Sequence, residues 1–393
     1  MVKSNGKRSA PDASIRQPRA VPKQAPLATD RPRKQRRVAP FPSPLNEARP
    51  MDPEVIQDEN QLIDVLTRPR LELIEFIRSV TSPLVILGAG GKMGPTLAVL
   101  AQRAAQLARH PLQVIAVSRF ADASSRRWLE RYSVKTLSAD LLKRNEVRKL
   151  PKAAQVIYLA GLKFGTQENP ALTWAVNTIA PAYVAEHYAS SRIVALSTGN
   201  VYPLVPFDTG GAAESQALTP LGEYSNAAIA RERVFEYFAQ NSSLSLALIR
   251  LNYAVELRYG VLLDIAQKVA AGELIDLTTG YFNCLWQGDA NEMIIRSLAL
   301  TTRPPAVFNL TGPTVFSVRA VAKEFARHLG RPARFVGTEA PSALLNNPAK
   351  ICRQLGPPST SPETMIRWIA HWIKRGGQTL NKPTHFEVRD GQY

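Results

Sequence analysis

Short apolar runs alternate with longer amphipathic stretches between residues 84 and 250. The runs predict strands at 84–87, 113–117, 134–137, 155–159, 192–197 and 245–250. The amphipathic stretches predict helices at 95–108, 122–131, 145–149, 170–189 and 224–240. Strands that alternate with helices are joined by right-handed crossovers and form a parallel sheet covered on both faces. The predicted fold class is therefore α/β, with a doubly wound parallel sheet over residues 84–250.

The pattern is less regular on both sides of this central region. Residues 53–80 carry apolar positions at mixed three and four spacing, and Pro69 interrupts them, which predicts two short helices in a helical cap over 51–83. After residue 251, helices are expected near 261–272, 289–300, 317–329 and 362–375. We interpret 251–393 as a smaller C-terminal substrate-binding lobe, some of whose strands could join the main sheet.

Residues 1–50 have no apolar periodicity and are rich in Pro, Lys and Arg, which predicts a disordered basic tail. Their twelve Lys/Arg and three Asp/Glu account for +9 of the net charge of +17. The run from Arg31 to Arg37 could touch nucleic acid, but a solvated tail is the favoured interpretation, and we expect no nucleic-acid partner. Translation from Met51, where the composition changes, is an open alternative.

The rest of the composition is typical of a globular protein. A chain of 393 residues with 45% hydrophobic residues can bury a sizeable core. Two cysteines, Cys284 and Cys352, argue against a disulfide scaffold and favour a cytoplasmic location. No apolar run approaches the roughly 20 residues of a membrane span, so no membrane association is expected. The five histidines are dispersed, so no metal site is expected.

The turn after the first predicted strand carries a specific chemical signal. Gly88, Gly91 and Gly94 form a Gly-x-x-Gly-x-x-Gly motif that also contains Lys92 and Met93. Glycines permit a tight turn and let a pyrophosphate approach the next helix N-terminus, where free N–H groups and the dipole favour an anion. The motif predicts a dinucleotide site; the alternative is an ordinary glycine-rich turn.

Further motifs follow in order along the chain. They are Asp140-Leu141, the loop Val156–Gly165, Asn177, the segment Ser197–Tyr202, Glu214, Pro220, Tyr224 and Glu232. Together with the glycine motif they resemble the extended short-chain dehydrogenase/reductases, the family of NAD(P)-dependent nucleotide-sugar epimerases and dehydratases, over about residues 84–374. The fourth strand and the loop after it resemble the corresponding stretch of the UDP-glucose 4-epimerases in this family.

The resemblance implies a Rossmann domain over residues 84–250 and roles for individual residues. Tyr224 and Thr198 match the catalytic tyrosine and Ser/Thr positions. Cofactor contacts are implied for Gly88, Gly91, Lys92, Met93, Gly94, Ser118, Arg119, Asp140, Leu141, Ala160, Gly161, Lys163 and Asn177. Substrate contacts are implied for Asn200, Asn252 and Tyr253, and a homodimer is expected.

The sequence departs from the family at the position four residues after Tyr224, where Ala228 replaces a lysine. In the family this lysine supports the tyrosine, whose phenol is a poor base at neutral pH unless a cation stabilises the phenolate. Lys163 and Arg231 are possible substitutes. Arg231 lies on the same helix face as Tyr224, although a solvated helix residue is the favoured interpretation.

Two more departures concern the ligands. The acid usual after the second strand is replaced by Ser118-Arg119, which removes repulsion of a 2′-phosphate and offers a bidentate cation, so NADP is favoured over NAD. Phe282 takes the place of an arginine that commonly grips the diphosphate of a nucleotide sugar. A non-nucleotide sugar, sugar acid or lactone therefore becomes a plausible substrate.

Two classes of function remain open. The first is an NAD(P)-dependent sugar epimerase, dehydratase or dehydrogenase, in which Tyr224 deprotonates a hydroxyl and Thr198 stabilises the developing charge. The second is a non-catalytic NAD(P)-binding redox sensor or regulator, which the loss of lysine at 228 supports. The presence of both Thr198 and Tyr224 favours the enzyme.

Overall fold

A seven-stranded parallel sheet lies at the centre of the structure. This computed structural model describes residues 52–121, 123–163, 165–382 and 384–391, and the tail predicted at 1–50 lies outside them. The strands are β1 (Leu84–Leu87), β2 (Val114–Ser118), β3 (Lys135–Ser138), β4 (Gln155–Tyr158), β5 (Arg192–Thr198), β6 (Val205–Pro206), β7 (Ser245–Leu251), β8 (Ala254–Val255), β9 (Leu274–Asp276), β10 (Tyr281–Phe282), β11 (Leu285–Trp286), β12 (Ala306–Leu310), β13 (Phe316–Ser317), β14 (Arg334–Val336) and β15 (Ser342–Ala343). The central sheet has the order β12-β7-β5-β4-β1-β2-β3, and each of its pairings is parallel.

Helices follow most strands of this sheet. They are α1 (Glu59–Leu66), α2 (Leu71–Ile77), α3 (Gly94–Leu107), α4 (Ala123–Arg131), α5 (Arg144–Val147), α6 (Pro170–His187), α7 (Gly222–Asn241), α8 (Val261–Ala271), α9 (Gln287–Arg296), α10 (Val318–Leu329), α11 (Ala349–Leu355) and α12 (Pro362–Lys374). The predicted helices are present with small boundary shifts, and the one expected at 289–300 ends in a 3-10 turn, Ser297–Leu300. Helix α11 was not predicted.

The apolar runs that form the central strands are buried on both faces, whereas the edge strand β3 is partly exposed. The four residues of β1 are all 0% exposed. Because helices cover both sides of the sheet, these strands need no alternating polar positions. The prediction of a doubly wound α/β fold is confirmed.

The order of the strands creates a crevice beside β1. Leu84 pairs with Val114 of β2 on one side and with Gln155 of β4 on the other. The chain therefore builds the sheet in one direction from β1 and then returns to its other side. Ligands of such sheets bind beyond the carboxyl ends of the strands at this point.

The part of the chain after residue 251 contributes both to this sheet and to a second core. Strand β12 pairs with β7 and so returns to the central sheet. Helices α8, α10 and α12 pack on one another around an apolar core that includes Trp286 and Trp368. Helices α1 and α2 pack on α3 and α9, and an ion pair joins Arg70 to the buried Asp289. Among the described helices, none combines the length and apolarity needed to cross a bilayer.

Residues 384–391, here called the C-terminal segment, run across the second core to the start of α7. The Thr384 backbone N–H donates to Asp264 Oδ2 at 2.9 Å, and Lys268 pairs with Glu387 at 2.5 Å. At the far end, Gly391 packs on the backbone of Leu221 and Gly222 so closely that a Cβ on Gly391 would lie 2.3 Å from the Leu221 carbonyl oxygen. The segment therefore covers the first turn of α7.

Candidate functional site

A cleft of about 430 Å³ opens at the carboxyl ends of β1, β2, β3 and β4. It lies at the crevice that the strand order creates. Eight residues predicted to bind a cofactor line it: Gly88, Gly91, Ser118, Arg119, Asp140, Leu141, Ala160 and Gly161. The other five, Lys92, Met93, Gly94, Lys163 and Asn177, lie outside its lining.

The glycine turn brings the backbone close to its neighbours at this cleft. Gly88 has φ +80°, and a Cβ there would lie 2.6 Å from the Ala160 backbone nitrogen. A Cβ on Gly94 would lie 2.5 Å from the Ala89 carbonyl oxygen. No side chain caps the N-terminus of α3, so backbone N–H groups remain to bind an anion. The turn is therefore tight, and close backbone neighbours require glycine at both positions.

The edge of the cleft at β2 and β3 carries the residues expected near the adenosine. Ser118 ends β2, and Arg119 is exposed beside it. Asp140 Oδ1 accepts a hydrogen bond from the Leu142 backbone N–H at 3.0 Å, and the Asp140 backbone N–H donates to Glu146 Oε2 at 2.7 Å. The loop after β3 is therefore held in a fixed conformation.

Two lysines add positive charge near the glycine turn. Lys92 Nζ donates to the Ala254 carbonyl at 3.0 Å and lies 3.6 Å from the centre of the Tyr259 ring. Lys92 is exposed, yet the surrounding protein withdraws its ammonium group from bulk water and lowers its pKa to about 7; Glu256 opposes this shift. Desolvation likewise lowers the pKa of Lys163 to about 8. Both ammonium groups therefore lose their protons at a lower pH than an ordinary lysine, and both still carry positive charge at pH 7, Lys163 more than Lys92.

Asn177 and Arg231 meet beneath the loop that follows β4. Arg231 is 4% exposed, so its interpretation as a solvated helix residue is wrong. Its Nη1 donates to Asn177 Oδ1 at 2.8 Å and to the Ala160 carbonyl at 3.2 Å. Helix α6 packs along α7 and covers this side chain. Asn177 thus holds a cation of α7 in place beneath the cleft wall.

Thr198 and Tyr224 are both buried, at 6% and 9% exposure. Thr198 ends β5, and its Oγ1 donates to Asn200 Oδ1 at 3.0 Å and accepts from the Asn200 backbone N–H at 3.2 Å. Tyr224 stands in the first turn of α7. The predicted catalytic pair thus comes from the end of a central strand and the start of the helix that follows it in the chain.

A buried polar network fixes the elements that carry this pair. Ser197 Oγ donates to Glu232 Oε1 at 2.5 Å, and Arg250 donates to both oxygens of Glu232 at 3.0 and 2.7 Å. Arg250 Nη1 also donates to the Tyr202 hydroxyl, which donates to Asn309 Oδ1 at 2.8 Å. The network therefore joins β5, α7, β7 and β12. We call these five residues the Glu232 network.

Arg250 and Asn309 were missed by sequence reasoning. Glu232 had been singled out by its spacing from Tyr224, and the one available signal for Arg250 was a charged residue in an otherwise apolar strand. A charge inside such a run indicates a buried partner, because an unpaired charge is too costly to bury. The Asn309 backbone N–H also donates to Glu214 Oε1 at 2.9 Å, which gives Glu214 a structural contact.

The residues expected to contact substrate are partly engaged with the protein itself. Asn252 is 2% exposed, and its Nδ2 donates to Asn283 Oδ1 at 2.9 Å. Tyr253 adopts φ +44° just after β7. Phe282 is 1% exposed and stacks on Phe316 with ring centres 5.2 Å apart, so the position of the missing arginine is part of the apolar core.

The other groups considered from the sequence give no further site. Burial raises the pKa of the Cys284 thiol well above its usual range, which disfavours the nucleophilic thiolate. Within the described residues, no cluster of three His, Cys, Asp or Glu side chains could hold a metal ion.

The region that contains this site matches a known protein family. Residues 84–256 match the family described as the NAD dependent epimerase/dehydratase family. The match supports the assignment of residues 84–256 to that family. The matched stretch begins at β1 and ends just after β8, so it contains the glycine turn, the cleft and both members of the predicted catalytic pair. A search of curated proteins finds no match.

Solved structures share the fold of residues 84–256 and of much of the rest of the chain. MoeE5, in complex with UDP-glucose and NAD, is 20% identical, with a TM-score of 0.61 over 75% of this chain and 99% of that chain. The UDP-glucose 4-epimerase of Thermus thermophilus, in complex with NAD, is 18% identical, with a TM-score of 0.61 over 74% of this chain and 99% of that one. Bordetella bronchiseptica WbmG, in complex with NAD, is 17% identical, with a TM-score of 0.62 over 77% and 97%. These likenesses extend the fold beyond residue 256.

Proposed function

We propose that the protein is an NAD(P)-dependent epimerase/dehydratase-type oxidoreductase that acts on a sugar or sugar derivative. The observation that carries the proposal is the position of the glycine turn at the strand-order crevice, in a chain that also buries Thr198 and Tyr224 together with the Glu232 network. We take the glycine turn as a diphosphate cradle because it stands at this crevice and no side chain caps the N-terminus of α3.

The residues of the chain have separate tasks in this proposal. A bound dinucleotide supplies a hydride acceptor and donor. The glycine turn and the N-terminus of α3 bind its diphosphate, and Lys92 and Lys163 add positive charge. Tyr224 takes the proton of a substrate hydroxyl, and Thr198 donates a hydrogen bond to the same oxygen as negative charge develops there. The Glu232 network fixes the relative positions of the strand that carries Thr198 and the helix that carries Tyr224.

The choice of ligands is a finer part of the proposal. MoeE5, the Thermus epimerase and WbmG are NAD complexes, so the preference for NADP that Ser118 and Arg119 suggest has no support from them. MoeE5 also holds UDP-glucose. A nucleotide sugar is therefore a candidate substrate, as is the sugar acid or lactone suggested by Phe282. The homodimer stays a prediction.

A non-catalytic dinucleotide-binding protein is the second candidate. The observation that favours it is Ala228, which is 0% exposed and belongs to an apolar cluster with Val201, Tyr202 and Ala343. No cation can be placed there without disturbing that cluster. In this case the protein binds dinucleotide tightly and shows no turnover.

The deciding experiment is a turnover screen on the purified full chain with NAD(H) and NADP(H), nucleotide sugars, sugar acids and lactones. We expect turnover that Tyr224→Phe lowers by at least about 10²-fold, the lower end for a positioned acid–base group. The matched control is Tyr237→Phe, since Tyr237 lies on the same helix with 61% exposure. Turnover that survives Tyr224→Phe contradicts the catalytic assignment, and binding without turnover favours the second candidate.

A further inference from the structure

One buried cation of α7 lacks the partner that buried charges usually have. Arg231 is 4% exposed, and within the described part of the chain its guanidinium donates to the Asn177 amide and to the Ala160 carbonyl and to no other group. Its Nε is buried without a hydrogen bond. Among the described residues no carboxylate pairs with it. Since a desolvated charge is stabilised mainly by an opposite charge, the site is electrostatically incomplete as it stands.

The next residue along the helix, Glu232, is a buried charge that has an oppositely charged partner. Glu232 is 0% exposed and receives two hydrogen bonds from Arg250. Arg231 faces a different neighbour, helix α6, which offers it only an amide. A charge that is kept in the protein without an internal counter-charge indicates an anion that comes from outside.

The position of the guanidinium indicates where that anion binds. A Cβ on Gly161 would lie 2.4 Å from Arg231 Nη1, so the guanidinium lies directly against the cleft-lining loop after β4. Ala160, whose carbonyl accepts from Arg231, also packs its backbone nitrogen against Gly88. The positive charge therefore lies beneath the carboxyl ends of β1 and β4, behind the glycine turn.

We propose that Arg231 is a positioning residue of the dinucleotide site, which holds the Ala160–Gly161 loop against the glycine turn and supplies the buried positive charge that a bound diphosphate neutralises. The inference rests on the dinucleotide site of the proposed function but not on catalysis by Tyr224. In this role, Arg231 supplies a buried positive charge near the dinucleotide site although residue 228 is alanine.

Two variants separate the charge from the hydrogen bonds. Arg231→Gln keeps an amide that can donate to Asn177 or Ala160 but removes the charge, whereas Arg231→Lys keeps the charge. Arg233→Gln is the matched control, because the Arg233 side chain is 61% exposed and pairs with Glu236 on the same helix. Dissociation constants for NADH and NADPH, and for UDP-glucose as a diphosphate from the substrate side, are measured by calorimetry on the full chain.

We expect Arg231→Gln to weaken NADH and NADPH binding by about 10- to 100-fold, since a buried charge acts through a low dielectric. Arg231→Lys should recover most of this loss and Arg233→Gln should cause none. The thermal unfolding midpoint without ligand should fall little in Arg231→Gln, while the rise on adding NADH should shrink. A residue with only a structural role lowers the ligand-free midpoint instead.

The outcomes distinguish this inference from the proposed function. Unchanged dinucleotide affinity in Arg231→Gln overturns the inference and leaves the proposed function standing. Weakened UDP-glucose binding with unchanged NADH binding assigns the charge to a substrate diphosphate and also overturns it. A wild-type chain that binds no dinucleotide contradicts both, whereas Tyr224→Phe with full turnover contradicts only the catalytic assignment.

Discussion

Arg231 and Glu232 are neighbours in sequence, but they face two regions of different character. On one side of α7, Glu232, Arg250 and Tyr202 satisfy one another in the Glu232 network, with distances of 2.5 to 3.0 Å. On the other side, the hydrogen bonds that Arg231 makes with the described residues go to an amide and a carbonyl beside an open cleft. The first region is complete without a ligand, and the second is not.

Because of this difference, we expect one region to affect mainly the stability of the fold and the other mainly the affinity for a ligand. A closed network of buried charges destabilises the fold strongly when one partner is removed, but it offers nothing to a ligand. An open cationic region contributes little to folding and gains most when an anion arrives. Variants on the two sides of α7 should therefore alter different measurements, in decreasing order of expected effect.

Removing the acid from the closed region should have the largest effect. Glu232→Gln leaves the Arg250 guanidinium without a counter-charge, which should lower the free energy of unfolding by about 3–5 kcal/mol. Glu236→Gln is the control, since its exposed pair with Arg233 should contribute no more than about 1 kcal/mol. Urea unfolding measures both. Equal losses in the two variants would mean that the network is not a stability element.

Adding a methyl group to the glycine turn, which lies on the cleft side with Arg231, should weaken dinucleotide binding. A Cβ in Gly94→Ala lies 2.5–2.7 Å from Ala89 backbone atoms, so strand and helix must move apart. We expect dinucleotide affinity to fall by about 10- to 100-fold, because the diphosphate cradle is distorted. Gly272→Ala meets no atom within 4 Å and should cost only about 1 kcal/mol of stability at its positive φ. Calorimetric titration with NADH compares them, and equal affinity contradicts the cradle.

The two lysines should make dinucleotide binding dependent on pH. Their pKa values of about 7 and about 8 mean that the free protein loses both charges between about pH 6.5 and 9. A bound diphosphate favours the charged form, so binding above these values must take up protons and the dissociation constant should rise about tenfold over this range. Titrations across that range in buffers of different ionisation enthalpy test this.

Lys92→Met should flatten the part of that profile near pH 7, and Lys323→Met, at an exposed position of α10, should leave it unchanged. A flat profile in the wild-type chain would show that neither lysine meets the diphosphate.

The free energy of unfolding without ligand should rise with pH over this range, whereas dinucleotide affinity falls. Because the folded-state pKa of Lys92 is lowered, the unfolded chain binds more protons above about pH 7, and stability rises there with pH.

The smallest effect is expected at the exposed edge of the cleft. Arg119→Ala should weaken NADPH binding by about 3- to 10-fold and leave NADH binding unchanged, because an exposed guanidinium gains little from a screened phosphate. Arg127→Ala, at an exposed position of α4, is the control. If NADH binds more tightly than NADPH in the wild-type chain, the inference of an NADP preference from Ser118-Arg119 is wrong.

Much of the fold could be predicted because its central strands obey a simple rule. Strand segments buried on both faces must be continuously apolar, and the buried parts of β1, β2 and β4 (residues 84–87, 114–117 and 156–158) are. The glycine spacing likewise located the cleft, since only glycine fits where Gly88 meets Ala160. In both places a local pattern reflects a local physical requirement.

The partners across the fold could not be predicted in the same way. Helical spacing placed Arg231 on the face of Tyr224, but whether that face is solvated depends on α6, which packs over it. The bidentate pair of Glu232 and Arg250 joins a helix to a strand whose register the sequence does not state. Asn252 fits a substrate contact by its position after β7, yet its amide also finds a buried partner in Asn283.

The contact of Gly391 with Leu221 and Gly222 has a consequence for how the protein is made. During synthesis, the helix that carries Tyr224 leaves the ribosome long before the segment that covers its first turn. A nascent chain can complete its central strands and still leave that turn open to water and to proteases. A segment that is synthesised after the central strands therefore covers the turn that carries Tyr224.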